Sequence, residues 1–152
     1  GMDVPVCLYG NDCLIIGKGD KIYPQINFPK YYFVLVKPNI HLSTSDMYAK
    51  IKNYFIFDKQ HNDLISNLTS IQKYDTGNDF EKIAITENKE IKNLLDFLSK
   101  TEDCIFARMS GSGSCCYAVF NKQEQAITAL KIINSKFSDL WSYIGKNNVI
   151  ND

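Results

Sequence analysis

The chain has 152 residues, 45% of them hydrophobic, and its 17 Lys and Arg side chains balance its 17 Asp and Glu side chains. A domain of this length buries roughly two thirds of its unfolded surface and folds without metal or disulfide cross-links. A formal net charge of zero provides no overall field that would attract a polyphosphate backbone or an anionic lipid surface. We therefore expect neither nucleic acid nor membrane among its partners.

The cysteine and histidine pattern gives no sign of a metal site. Five cysteines form no CxxC pair, and the two histidines stand at no metal-binding spacing from them. Reduced thiols are typical of the cytosol. No apolar run is long enough to span a bilayer, and no leader pattern is present at the amino terminus. These features favour a cytoplasmic protein.

The first 30 residues are predicted to form a segment of their own. An apolar run at 13–16 and a partner strand near Ile22 predict a β-hairpin, with Gly17-Lys18-Gly19-Asp20 as its turn. This hairpin lies outside the alternation of strands and helices predicted for residues 31–152. We therefore expect its strands to belong to a different sheet. We therefore predict two parts, a hairpin segment at 1–30 and a main domain at 31–152.

The main domain alternates strand patterns with amphipathic helix patterns. Strands are predicted at 31–36, 104–107, 117–120 and 141–144, and apolar stripes with helical spacing at 47–55, 64–71, 91–98 and 126–137. Ser43-Thr44-Ser45-Asp46 provides capping side chains where the first helix should begin. The order strand, helices, strand, strand, helix, strand predicts an α+β fold, a ferredoxin-like split βαβ sandwich with helices on one sheet face.

A glycine-serine loop lies between two predicted strands. Met109 is followed by Ser110, Gly111, Ser112, Gly113 and Ser114. Glycine tolerates positive φ, so such a loop can turn successive backbone N–H groups toward an anion such as phosphate. The same tripeptide Gly-Ser-Gly also occurs in ordinary hairpin turns.

Three further segments carry polar or aromatic candidates. Asp3 precedes a Val-Pro pair and should lie at the end of an element, as a solvated charge, a cap or a functional acid. Thr44 and Tyr48 are four residues apart and share a helix face, where they could meet a polar ligand, although Tyr48 could instead pack in the core. Residues 78–81, Asn-Asp-Phe-Glu, are typical of a helix cap. His41 and His61 are expected to be surface or structural residues.

Taken in order, five segments resemble the carboxy-terminal half of the 4-diphosphocytidyl-2-C-methyl-D-erythritol kinases, a family of the GHMP kinase superfamily. They are Gly1-Met2-Asp3-Val4-Pro5, Gly17-Lys18-Gly19-Asp20, the stretch from Pro38 through Ser43-Thr44, Asn78-Asp79-Phe80-Glu81, and Met109 to Ser114. The resemblance extends over nearly the whole chain, and its most specific parts are Asp3-Val4-Pro5 and the glycine-serine loop.

The resemblance implies a kinase that transfers the γ-phosphate of ATP, with Mg²⁺ in the complete enzyme, to the 2-hydroxyl of a CDP-linked methylerythritol in non-mevalonate isoprenoid biosynthesis. It implies that Asp3 is catalytic, as the general base or as the residue that orients the attacking hydroxyl, and that Tyr48 stacks on cytosine with Thr44 close by. Gly111, Ser112, Gly113 and Ser114 would lie beside the phosphate site. Here Val6 and Cys7 follow the Asp-Val-Pro segment, where the family commonly has an aromatic residue.

The main ATP loop of that family, a proline-led run of glycines ending in Ser-Ser-Asp, is absent from the 152 positions. We therefore expect that ATP does not bind tightly to this chain alone and that activity requires an amino-terminal kinase half as partner. Two alternatives stay open. One is a non-catalytic ligand-binding or dimerisation module from a split or decaying gene. The other is another substrate within the superfamily, which the Asp-Val-Pro and Asn-Asp-Phe-Glu segments argue against. Apolar surface along Val4, Val6, Leu8 and the strand at 13–16 also predicts a homodimer or a larger species.

Overall fold

A computed structural model describes residues 3–16, 21–24, 29–51, 77–137 and 139–147, with the side chains of Asp3, Leu14 and Ile16 excepted. The described residues form two units. The first unit contains 3–16, 21–24, 29–30 and 146–147, and the second contains 31–51, 77–137 and 139–145.

The first unit contains a short helix and a two-stranded antiparallel sheet. Helix α1 is Asp3–Tyr9, strand β1 is Cys13–Ile16, and strand β2 is Lys21–Pro24. Ile15 lies opposite Ile22 in the register. The predicted hairpin strands are therefore confirmed, whereas the predicted turn at 17–20 lies outside the described residues.

Helix α1 was not predicted from the sequence, although Asp3 does lie at the end of an element as expected. Proline is compatible with a helix only where its missing N–H would have no partner, and Pro5 lies in the first turn. The helix ends at Gly10, which has a φ of +73° and donates its N–H to Val6 O at 2.9 Å. A helix of seven residues leaves too short an apolar stripe for detection by periodicity.

The second unit is a four-stranded sheet with four helices among its described residues. Its elements are β3 Tyr32–Lys37, α2 Thr44–Lys50, α3 Asp79–Glu87, α4 Lys89–Ser99, β4 Phe106–Met109, β5 Cys116–Phe120, α5 Gln123–Lys136 and residues 141–145 of β6, which is Trp141–Lys146. The strand order is β4-β5-β3-β6, and β5 is antiparallel to both β3 and β4. This order is that of a ferredoxin-like split βαβ sandwich, so the predicted α+β fold is confirmed.

The helices cover one face of this sheet, as predicted. Alternate residues of each strand point to the same face, and on β3 these are Val34 and Val36, both completely buried. They pack in one core with residues of β4, β5 and the helices. The apolar stripe of α4 contributes Ile91, Leu94 and Leu98. The helices therefore pack against the side of the sheet that carries these strand residues.

Several predicted boundaries were wrong by one or two residues. Strand β4 begins at Phe106 instead of Cys104, because Cys104 N–H bonds to Thr101 O at 3.1 Å in the turn that follows α4. Strand β3 begins one residue later than predicted, at Tyr32. Helix α2 ends at Lys50, while the predicted apolar positions at 55 and 64–71 lie outside the described residues.

Candidate functional site

The glycine-serine loop, residues 110–115, is a tight connection between β4 and β5. Ser110 N–H donates to Cys115 O at 2.7 Å, and Gly113 N–H donates to Ser110 O at 3.0 Å. Gly111 and Gly113 have φ values of +53° and +91°, which residues with a side chain rarely adopt. The backbone conformation of the loop therefore depends on glycine at these two positions.

The carboxyl end of the loop is packed against the domain. A Cβ atom at Gly113 would lie 2.7 Å from both Leu42 Cδ1 and Met109 Sδ, which is closer than real Cβ contacts. Ser114 is only 4% exposed, and its hydroxyl donates to Ile40 O at 2.5 Å. Ser114 therefore anchors the loop through the bond from its side chain to Ile40 O. The hydroxyl of Ser112 instead bonds to Thr44 of helix α2.

The amide of Asn78 connects the start of helix α3 to the loop. Asn78 Oδ1 accepts the Phe80 N–H at 3.0 Å and caps the helix. Asn78 Nδ2 donates to two loop carbonyls, Met109 O and Gly111 O, both at 2.8 Å. The predicted cap is therefore confirmed, but sequence reasoning missed its second role, because a cap signal reports only the local backbone and not a partner 31 and 33 residues away.

Glu81 adds a third bond between the same helix and the loop. Its Oε2 accepts the Met109 N–H at 2.7 Å. Met109 therefore has its N–H bonded to Glu81 and its carbonyl bonded to Asn78. The spacing of the two residues, three apart at a helix start, was the only sequence signal, and it is equally typical of an ordinary helix terminus.

Helix α2 brings Thr44 to the loop. Ser43 is its N-cap, as predicted, and its hydroxyl accepts the Asp46 N–H at 3.4 Å. Thr44 Oγ1 and Ser112 Oγ lie 3.0 Å apart in a hydrogen bond between residues 68 positions apart in the chain. Two of the predicted site segments are therefore in direct contact within the second unit.

Tyr48 lies on the same helix, one turn after Thr44, and its side chain is 58% exposed. The alternative that Tyr48 packs in the core is therefore wrong. Its ring makes an edge contact with Phe80 of α3, with the ring centroids 4.9 Å apart and the planes at 80°. This contact leaves part of the aromatic surface open, and such a surface is suited to stacking a flat ligand.

Asp3 belongs to the first unit, whereas Thr44, Tyr48 and the loop belong to the second. The backbone of Asp3 begins α1, and its side chain lies outside the described atoms. The prediction that Asp3 and the glycine-serine loop line one common hollow therefore stays a prediction.

The described residues provide no metal centre. No three His, Cys, Asp or Glu side chains in that part of the chain stand close enough to hold an ion. Mg²⁺ therefore stays an expectation for the complete enzyme. His41 is exposed, as expected, and His61 lies outside the described residues. None of the described helices is long and apolar enough to cross a bilayer.

The cysteines near the loop are not activated nucleophiles. All five cysteines are free thiols. Burial, with smaller effects in the same direction from the neighbouring Cys115 and Glu81, raises the pKa of Cys116 to about 12. Burial also raises the pKa of Cys115, against the opposing effect of Lys37. Because the thiolate is the reactive form, both side chains act as small apolar groups at neutral pH.

The ferredoxin-like sandwich and the glycine-serine loop indicate the class of protein to which the chain belongs, and comparison with known proteins identifies that class. Residues 54–139 match the family described as GHMP kinases C terminal. This match covers more than half of the chain, so the chain belongs to that family.

Curated relatives specify the resemblance further. The 4-diphosphocytidyl-2-C-methyl-D-erythritol kinase of Parvibaculum lavamentivorans is 30% identical over 151 residues, covering 93% of this chain and 50% of that protein. The protein of the same name from Anaplasma marginale is 34% identical over 149 residues, covering 94% of this chain and 50% of its own length. The chain spans about half the length of the curated relatives it matches, and it corresponds to their C-terminal half.

Solved structures agree on the fold. A crystal structure of 4-(cytidine 5'-diphospho)-2C-methyl-D-erythritol kinase superposes with a TM-score of 0.73 at 20% identity, covering 97% of this chain and 54% of that one. Homoserine kinase from Cytophaga hutchinsonii superposes with a TM-score of 0.56 at 16% identity, covering 96% and 50% of the two chains. At these identities the likeness establishes the fold, and the fold hosts kinases with different substrates.

Proposed function

We propose that the chain is the C-terminal part of an ATP-dependent kinase that phosphorylates the 2-hydroxyl of 4-diphosphocytidyl-2-C-methyl-D-erythritol in non-mevalonate isoprenoid biosynthesis. The names of the curated relatives support this substrate. The observation that carries the proposal is the hydrogen bond between Thr44 and Ser112, 3.0 Å long. It joins the segment expected to meet the nucleoside to the loop expected to meet phosphate, and a CDP-linked substrate contains both groups.

Tyr48 is proposed to stack on the cytosine ring, with Thr44 as a polar contact nearby. The half-open ring of Tyr48 supports this role, because its contact with Phe80 fixes its orientation while 58% of the residue remains exposed. Stacking of a base on an aromatic side chain contributes about 1–3 kcal/mol. That amount is sufficient for Tyr48 to influence substrate affinity while leaving the chemical step to other groups.

Asp3 is proposed to act as the general base. Phosphoryl transfer requires mainly positioning of the reactants and stabilisation of charge on the transferred group, and a carboxylate can accept the proton of the attacking alcohol. The bond from the 2-hydroxyl oxygen to the γ-phosphorus forms as the bond between that phosphorus and the bridging oxygen of ADP breaks. Support for Asp3 comes from the Asp3-Val4-Pro5 segment and from its place at the beginning of α1.

The N-terminal half that the relatives carry in the same chain is proposed as the partner that provides the main ATP contacts. This chain matches half of the relatives' length, and the glycine run expected of the ATP loop does not occur among its 152 residues. A glycine-rich loop at a helix N-terminus is a principal way of holding nucleotide phosphates. We therefore propose that the chain alone has no kinase activity.

A reconstitution experiment tests this proposal. The chain is mixed with the N-terminal half of the Anaplasma marginale kinase, and ADP release is measured with ATP and the CDP-linked alcohol. We expect no turnover from either piece alone, turnover from the mixture, and loss of turnover with Asp3→Asn.

The matched control for that experiment is Asp103→Asn. Asp103 is exposed and has a φ of +62°, a conformation that asparagine also tolerates. This variant should retain the turnover of the mixture. Turnover that survives Asp3→Asn removes Asp3 from the proposed role, and turnover with homoserine in place of the CDP-linked alcohol contradicts the proposed substrate.

A second candidate function is a non-catalytic ligand-binding or dimerisation module. The exposure of Val4 and Leu8, at 58% and 83%, favours an association surface on the first unit. Calorimetric titration distinguishes the candidates. Binding of the CDP-linked alcohol without binding of ATP supports the kinase part, whereas absence of binding for both ligands favours the dimerisation module.

A further inference from the structure

The loop has two backbone donors that the described protein does not use. Neither the Gly111 N–H nor the Ser112 N–H donates to an acceptor of the described residues. The N–H groups on either side, those of Ser110 and Gly113, are bonded within the loop. When successive residues adopt right-handed and left-handed helical backbone conformations, their adjacent free N–H groups can form a concave site that binds an anion.

The contacts of the neighbouring carbonyls determine where these donors point. In a planar trans peptide the N–H and C=O groups point in opposite directions. Asn78 Nδ2 holds Gly111 O at 2.8 Å, so the Ser112 N–H in that same peptide points away from α3. Ser110 O accepts the Gly113 N–H inside the turn, so the Gly111 N–H points away from the turn.

We propose that Asn78 is a positioning residue that orients the Gly111 and Ser112 N–H groups toward the phosphate groups of a nucleotide-linked ligand, with Glu81 fixing the base of the loop. The proposal rests on the phosphate role proposed above for this loop. Asn78 does not touch the ligand. It acts by holding Met109 O and Gly111 O, while Glu81 Oε2 holds the Met109 N–H.

The sequence offers a matched pair of asparagines for the test. Asn78 caps α3 and also holds the loop, whereas Asn88 caps α4 by accepting the Glu90 and Ile91 N–H groups at 2.9 and 3.2 Å. Serine is about as good an N-cap as asparagine. Asn78→Ser should therefore keep the cap, leave the net charge unchanged and remove only the two bonds to the loop. Asn88→Ser makes the same chemical change at a cap whose side chain bonds to the start of α4 and to no described residue of the loop.

The test uses inorganic pyrophosphate as the probe and backbone amide NMR of the full chain as the readout. In the unmodified chain we expect pyrophosphate to shift the Gly111 and Ser112 amide signals. Asn78→Ser should raise the dissociation constant about tenfold or more, which is the effect of losing one to two ordinary hydrogen bonds. Asn88→Ser should bind as the unmodified chain does, and it should lose less folding stability than Asn78→Ser, because only Asn78→Ser removes the two bonds to Met109 O and Gly111 O.

The outcomes separate this proposal from the one on which it rests. Equal pyrophosphate binding by Asn78→Ser and the unmodified chain overturns the positioning role and leaves the loop as a phosphate site. If pyrophosphate shifts neither amide in the unmodified chain, both the positioning role and the phosphate role of the loop are overturned. If Asn78→Ser does not fold, Glu81→Gln and Glu81→Ala replace it, because a glutamine oxygen can still accept the Met109 N–H. Equal binding by these two variants overturns the role of the helix α3 start.

Discussion

Tyr48 and Asn78 are two residues whose structural roles depend on contacts with residues distant in the sequence. The apolar stripe to which Tyr48 belongs is equally compatible with a core position. Only the edge contact with Phe80 and the 58% exposure show that the ring lies at the surface in a fixed orientation. Asn78, by contrast, is a helix cap in any interpretation, and its tertiary bonds to Met109 and Gly111 add the second role.

At the residue scale, we predict that Tyr48→Ala weakens binding of the CDP-linked alcohol by about 1–3 kcal/mol, or roughly 5- to 150-fold, because the stacking surface is lost. Tyr48→Phe should bind within about twofold of the unmodified chain, since it keeps the ring. Calorimetric titration measures both. Tyr143→Ala is the control, because Tyr143 is exposed to the same degree, at 59%. Equal affinities for Tyr48→Ala and Tyr143→Ala would contradict the stacking role.

At the scale of elements, the hairpin of β4 and β5 has a loop that three other parts of the second unit hold in place. Helix α3 provides Asn78 and Glu81, helix α2 provides Thr44, and the segment before α2 provides the Ile40 carbonyl that accepts from Ser114. Leu42 from that segment also closes the space beside Gly113. The loop is therefore a packed part of the domain, unlike an ordinary solvent-exposed hairpin turn.

We predict different costs for the two glycines of this loop. Gly113→Ala should lower the free energy of unfolding by about 2 kcal/mol or more, because the new methyl group meets Leu42 and Met109 and the φ is unfavourable. Gly111→Ala has open space around the new methyl group, so only the backbone penalty of about 1 kcal/mol applies. Urea unfolding followed by circular dichroism measures both values. A larger loss for Gly111→Ala than for Gly113→Ala would show that the loop packs differently.

At the scale of the whole molecule, the chain spans about half the length of its curated relatives, and its first unit exposes apolar side chains. Val4 and Leu8 are four residues apart, so they share one face of helix α1, and they are 58% and 83% exposed. Exposed apolar surface favours association. The proposed N-terminal partner or a second copy of the chain would each remove such surface from water.

We predict that the isolated chain forms a dimer or a larger species, as measured by light scattering across a concentration series. Leu8→Lys should shift the population toward monomer, because a charge replaces an apolar contact. The control is Ile127→Lys on helix α5, at a side chain that is 38% exposed, and this variant should associate like the unmodified chain. A monomer at all concentrations for the unmodified chain would remove the basis for a homodimer.

The amino-acid sequence determined the order of the elements and the class of the fold. The apolar run at 31–36, the stripe of Ile91, Leu94 and Leu98, and the caps at Ser43 and Asn78 are local patterns, and the strand, the helix stripe and both caps are confirmed. Local patterns are readable because backbone geometry sets their periods of two and 3.6 residues. Helix α1 was missed because seven residues are too few to establish a period.

Only the tertiary structure decided which distant residues share a surface. No local pattern contains the bond from Thr44 to Ser112, or those from Asn78 and Glu81 to the loop, because the partners are 28 to 68 residues apart and meet through the packing of helices on the sheet. The sequence could not decide whether Tyr48 is exposed or buried for the same reason, since burial depends on which residues the fold packs against a side chain. The sequence could thus name the glycine-serine loop as a candidate, and packing decided what holds it in shape.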